Sequence, residues 1–290
     1  MEAPANNGPM SINDISFADL ITLEPHGPDT FVAPAPRYPW GRLFGGQVVA
    51  QALRAAQLTV PDGYACHSLH SYFIRGGTSD EPVRFEVDRI RNGRSFITRR
   101  VVARQSNGAI FNLSCSFHIG EDSPAVQVVE MPPDVPNPDD LENTGWGNML
   151  DRRAVNSTHG RLTMWIRLAD VLGSDDPALS LCGLAFISDS VPTGAVRATH
   201  PQRVANREES HEVFSGASLD HSIYFHRPVD PTRWLLADVV CHSFVEARGL
   251  TVGNVFDDSG CHVATIVQEA LLRERRSKGA GVDGLAGKVV

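Results

Sequence analysis

"SLDHSIYFHR", Ser218–Arg227, decides the fold, because the chain carries a second stretch like it, "SLHSYFIRGG", Ser68–Gly77. Both open on Ser-Leu, reach a His-Ser pair, pass an aromatic residue and arrive at an Arg. Both are rich in β-formers. Their surroundings repeat as well. Ahead of the first, Phe44–Ala56, "FGGQVVAQALRAA", places Phe44, Val48, Ala52 and Ala56 at helical spacing, with Val49 and Leu53 widening the stripe. Behind it, Pro82–Ile90 alternates Val83, Phe85 and Val87 with Arg84, Glu86 and Asp88. Ser95–Arg104 follows the turn Arg91–Arg94, and Ile110–Ile119 follows the turn Ser106-Asn107-Gly108.

The second half repeats the order. Arg161–Leu168 reads as a strand and Leu181–Ser190, "LCGLAFISDS", as a helix. Then come Ser218–Arg227, Trp234–Phe244, Gly249–Phe256, the turn Asp257–Gly260 and His262–Leu271. Helix followed by strands, twice, predicts an internal duplication of an α+β unit whose antiparallel sheet wraps its helix. Aligned on the Ser-Leu pairs, His70 falls opposite Asp220, so only the second copy holds an acid there. Between the halves, Glu121–Gly145 is dense in prolines and acids and reads as a surface crossing. The expected organisation is an N-terminal unit over 14–120, a linker over 121–160, a C-terminal unit over 161–275 and a disordered tail over 276–290.

The composition excludes several classes of function. The 290 residues are 42% hydrophobic and 21% charged, an ordinary globular balance. A net charge of −8 argues against a nucleic-acid partner, since phosphate backbones need a basic face. No uninterrupted apolar run approaches the roughly 20 residues of a membrane span, and "MEAPANNGPM" lacks the basic and apolar regions of a secretory signal. A cytoplasmic protein without stable membrane insertion is the expectation. Cys66, Cys115, Cys182, Cys241 and Cys261 form no C-x-x-C pair, so reduced, mostly buried thiols are expected rather than a zinc site. No phosphate loop or dinucleotide fingerprint occurs.

Five stretches carry a resemblance: "GRLFGGQVVAQAL", "HSLHSYFIRGG", "RNGRSFITRRVVARQ", "SLDHSIYFHRP" and "VQEALLR". Together, in this order and spread over about Leu20 to Arg273, they resemble the acyl-CoA thioesterase II (TesB-like) family. The resemblance implies a double hotdog: two units in one chain, each a curved antiparallel sheet around a central helix. It implies hydrolysis of fatty acyl-CoA to free acid and CoA, without metal or cofactor, in a homodimer or larger symmetric assembly. It also implies three working residues: the acid of the "LDH" stretch, Asp220; the glutamine of "QE", Gln268; and a hydroxyl on the strand after Asp220. The third falls in "VCHSF", Val240–Phe244, where this chain offers His242 or Ser243.

These side chains suit thioester hydrolysis. A carboxylate deprotonates water, and a glutamine orients it with one donor and one acceptor. The carbonyl oxygen needs fixed donors, which free N–H groups at a helix N-terminus supply. Gly45 and Gly46 open the first helix and are the candidates for that role, with His70 as a substrate-side neighbour. Direct attack by the acid, through an anhydride, stays open. Two other functions compete: enoyl-CoA hydration, which uses an Asp/His pair, and non-catalytic acyl-CoA binding. Asp220 and His221 are adjacent in a strand and so point to opposite faces, which weighs against the first.

Overall fold

The computed structural model describes residues 10–173, 176–204 and 207–275; the predicted tail, 276–290, lies outside them. The chain opens with α1 (Phe17–Leu20), β1 (Glu24–Pro25) and β2 (Thr30–Ala33). Then come α2 (Gly45–Gln57), β3 (Tyr64–Phe73), β4 (Val83–Asn92), β5 (Phe96–Gln105) and β6 (Gly108–Ile119). The second half holds β7 (Leu150–Thr158), β8 (Arg161–Leu168), α3 (Pro177–Ser188), α4 (Pro192–Thr199) and α5 (Arg207–Val213). It closes with β9 (Phe214–Ser218), β10 (Asp220–Phe225), β11 (Leu235–Val245), β12 (Arg248–Phe256) and β13 (His262–Glu274).

Among the described residues, all strands join one 13-stranded sheet in the order β1-β2-β4-β5-β6-β3-β10-β13-β12-β11-β8-β7, with β9 paired to β13. The order reads the same from either end when β3 is matched with β10 and β6 with β13. The seam between the halves is the antiparallel pair β3–β10, in register from Ser68↔Tyr224 to Tyr72↔Asp220. The turns that enter β6 and β13 correspond: Gly108 and Gly260 both hold positive φ, which glycine adopts without steric cost.

The helices lie antiparallel on one face of this sheet. Near the start of α2, a Cβ on Gly46 would stand 2.2 Å from the Phe186 carbonyl oxygen at the end of α3. At the other end, Gln57 Nε2 donates to Ala178 O at the start of α3 over 2.9 Å. Proline at the first turn and the Asp176 side chain, accepting from Ala178 N, start α3. Leu184, Ala185, Phe186 and Ile187 are fully buried, each large apolar side chain contributing roughly 1.5–3 kcal/mol of burial. The helical stretch Pro177–Thr199 has the length and hydropathy of a membrane span, but 72% of its apolar window is buried inside the fold.

Three features depart from the sequence reading. Residues 150–158, assigned to the linker, form β7 and pair with β8. The stretch 181–190 is helical only to Ser188, and Asp189 is its cap. "SLDHS" does not run as one strand: Ser218 ends β9, Leu219 is the break, and Asp220 begins β10. Leu219 N donates to Glu269 O, so β13 holds both sides of the break.

Candidate active site

A buried polar network forms where the start of α2 meets the end of α3. Asp189 caps α3 and is buried. Its Oδ1 accepts from Ser218 Oγ over 3.0 Å. Ser218 Oγ in turn accepts from Gln268 Nε2 over 2.8 Å. Gln268 Oε1 lies 2.6 Å from His221 Nδ1, and His221 Nε2 lies 2.9 Å from Ser188 Oγ. Gln268 and His221 are fully buried.

Each member is placed by a local rule. Gln268 is inward-facing on β13, in phase with buried Ile266, Ala270 and Leu272. His221 occupies the inward phase of β10 with buried Ile223. Ser218 comes from β9, whose separate pairing with β13 sets Ser218 beside Ala270. Asp189 sits at the negative end of its own helix but opposite the positive end of α2. An α-helix leaves its first four N–H groups without intrahelical partners, and α2 has no side-chain cap. The Gly46 amide lies beside Asp189 and favours its charged form.

Electrostatics set the two titrating members apart. Burial pushes the Asp189 carboxyl up to about 7, against the lowering effect of bonds from Ser218, Gly46 and Gln268. Burial pulls His221 down to about 4, with Gln268 opposing it, so the ring is neutral at physiological pH. Aromatic rings close the region: Phe44 packs edge-on against Phe186 at 5.3 Å and Trp146 at 4.8 Å between centroids. Such a carboxylate, poised near neutrality beside an amide and a hydroxyl, is built to hold and deprotonate water.

The two glycines are explained by close approach. A Cβ on Gly45 would fall 2.6 Å from Asp189 Oδ2, and one on Gly46 would meet the backbone carbonyl of Phe186. A backbone atom cannot swing aside. Gly46→Ala is therefore expected to cost about 1–3 kcal/mol or more in stability, by forced separation of the helix ends. A thermal melt checks it, and turnover should fall with it because the start of α2 is pushed away from Asp189.

Of the residues expected from sequence, Gln268, Gly45 and Gly46 meet here and four others do not. Asp220 lies in the outward phase of β10, opposite outward-facing Glu269, whose backbone N–H donates to its Oδ1 over 2.6 Å. Burial raises its carboxyl, with the Glu269 N–H opposing, but the sheet separates it from Gln268. His70 is on that same outer face, 3.1 Å from Ser222 Oγ. His242 and Ser243 are exposed on β11, at a bulge between Cys241 and Ser243. Strand β12 lies between β11 and β13, so they stand roughly 10 Å from the Gln268 backbone. The cluster also holds Asp189, Ser218 and His221, which the sequence reading did not single out. The available signal was Ser188-Asp189-Ser190, three polar residues ending an otherwise apolar helix.

Two family models cover the chain: the acyl-CoA thioesterase N-terminal domain over residues 34–118 and the C-terminal domain over 125–272. Human acyl-coenzyme A thioesterase 8 is 29% identical over 300 residues, 91% of either chain. The crystal structure of the acyl-CoA thioesterase II TesB2 from Mycobacterium marinum is 34% identical, covers 89% of this chain and 98% of its own, and superposes with a TM-score of 0.77. A hot dog fold protein from Alicyclobacillus acidocaldarius, 21% identical, covers 89% of this chain and 97% of its own with a TM-score of 0.71, a likeness of fold.

Proposed function

Because the chain belongs to the TesB-like acyl-CoA thioesterase II family and is a thioester hydrolase, we propose that it cleaves fatty acyl-CoA at the Asp189–Ser218–Gln268 cluster. One observation carries the assignment: a buried carboxylate, raised to about 7, is tied through Ser218 to Gln268 and packs against the first turn of α2 from the other half. Water held between the Asp189 carboxylate and the Gln268 amide attacks the thioester carbonyl carbon. Its proton passes to Asp189. Neighbouring N–H groups at the start of α2 receive the developing negative charge on the carbonyl oxygen. As the C–S bond breaks, the leaving thiolate takes a proton back, giving free acid and CoA.

We read the architecture as a double hotdog, supported by the mirrored strand order, the seam β3–β10 and the paired α2 and α3. The units are residues 14–120 and a C-terminal unit that begins at β7 rather than at 161. On this reading the catalytic site draws on both halves: α2 from the first, α3, β9 and β13 from the second. Exposed Tyr72, Ile74 and Tyr224 on the outer face near the seam support a homodimer or larger assembly.

The test is release of free thiol from acyl-CoAs of graded chain length, with an enoyl-CoA in parallel. Thiol release is expected, and hydration of the enoyl-CoA without thiol release would overturn the reading. The pH profile is a second expectation. The base must be ionised, so kcat/KM should rise with pH through a midpoint near 7, where Asp189 titrates, and level off above it. His221, neutral from about 4 upward, does not contribute to that limb.

A further inference from the structure

We propose that His221 is a positioning residue that fixes the orientation of the Gln268 amide through a donor at Nδ1. The inference rests on the Asp189 site proposed above and extends it to a group with no role yet in the chemistry. A glutamine side chain has nearly the same shape with its oxygen and nitrogen exchanged, so packing alone cannot orient it. Here hydrogen bonds do. An ionised Asp189 only accepts, so the Ser218 hydroxyl must donate to it across 3.0 Å. The Ser218 oxygen then accepts, and the group 2.8 Å from it must be the Gln268 NH₂. Gln268 Oε1 therefore faces His221 Nδ1 at 2.6 Å, which requires a proton on Nδ1. In a neutral ring Nε2 is then bare and must accept from Ser188 Oγ, 2.9 Å away. The Ala185 carbonyl, 3.2 Å from that hydroxyl, is its competing acceptor. Every donor in the row points toward Asp189.

The ring is itself held in place. His221 is fully buried, and its carbonyl accepts from Ser71 Oγ over 2.7 Å across the seam. Without the Nδ1 donor, Gln268 is free to turn its oxygen toward Ser218, where two acceptors would compete for one hydroxyl proton.

The test compares two substitutions. In His221→Asn the side-chain amide stands where Nδ1 stood, while in His221→Gln it stands where Nε2 stood. Packing alone favours Gln, the closer match in volume. An orienting role favours Asn. We expect His221→Asn to keep kcat within about threefold and His221→Gln to lose roughly 30-fold, with KM changed less than about twofold in both. Equal losses, equal retention, or a better Gln variant would each overturn the proposal. Should either variant fail to fold, wild-type protein with ¹⁵N-labelled histidine decides. The buried His221 resonance, assigned by its shift in Ser188→Ala, is expected to report the Nδ1–H tautomer, and the Nε2–H tautomer would overturn the proposal. Asp189→Asn and Gln268→Ala run in the same series. If those two keep full activity, the site reading itself fails. If they lose activity while the His221 pair falls in the wrong order, only this inference fails.

Discussion

Asp189→Asn is expected to lower kcat for acyl-CoA hydrolysis by about a thousandfold or more, because an amide cannot take a proton from water at neutral pH. The same change should make the protein more stable. Burial holds the Asp189 carboxyl at about 7 in the folded chain, against roughly 3.9 when unfolded. The native state thus binds the proton more tightly, and stability is lost as pH rises from about 4 through about 7. At pH 8 the ionised, desolvated carboxylate costs on the order of 4 kcal/mol. Asn removes the charge and keeps the shape. Ser218 can reverse its hydroxyl to accept from the new NH₂. Chemical denaturation at pH 5 and pH 8 checks this: wild type should lose stability between the two values and the variant should lose less. Asp220→Asn is the control, expected to keep most of the activity because its side chain faces the other side of the sheet. If Asp220→Asn is inactive and Asp189→Asn is not, the site is misplaced.

Gln268→Ala carries the second large effect. It removes the donor to Ser218 and the acceptor for His221 together. Turnover should fall by roughly a hundredfold, the class of loss seen when one fixed donor is removed from such a site. Stability should fall as well, by about 1–3 kcal/mol, because a buried imidazole N–H is left without a partner. His242→Ala and Ser243→Ala should stay near wild type in both respects, as both side chains are exposed. Steady-state kinetics with thermal melts on these three variants separates the two placements.

The sequence by itself determined the repeat and the elements that build it. Local periodicity placed α2 and each long strand from β3 to β6 and from β10 to β13, because alternation and helical spacing are properties of neighbouring residues. Motif order along the chain gave the family. It also gave Gln268, on an inward phase of a well-patterned strand, and Gly45-Gly46, where two helix ends touch. Tertiary structure alone decided which acid meets that glutamine. Asp220 is close to Gln268 across the β10–β13 pairing, yet strand alternation turns it to the outer face. Asp189 belongs to another element and arrives because α3 ends against the start of α2. Strand order removed His242 and Ser243 in the same way: β12 pairs with β13 and leaves β11 one strand further out. The break at Leu219 is the finest case. It lets Ser218 pair through β9 and bond Gln268 while Asp220, two residues on, faces outward. That break is fixed by both flanks pairing with β13, a long-range contact with no trace in the spacing of "SLDHS".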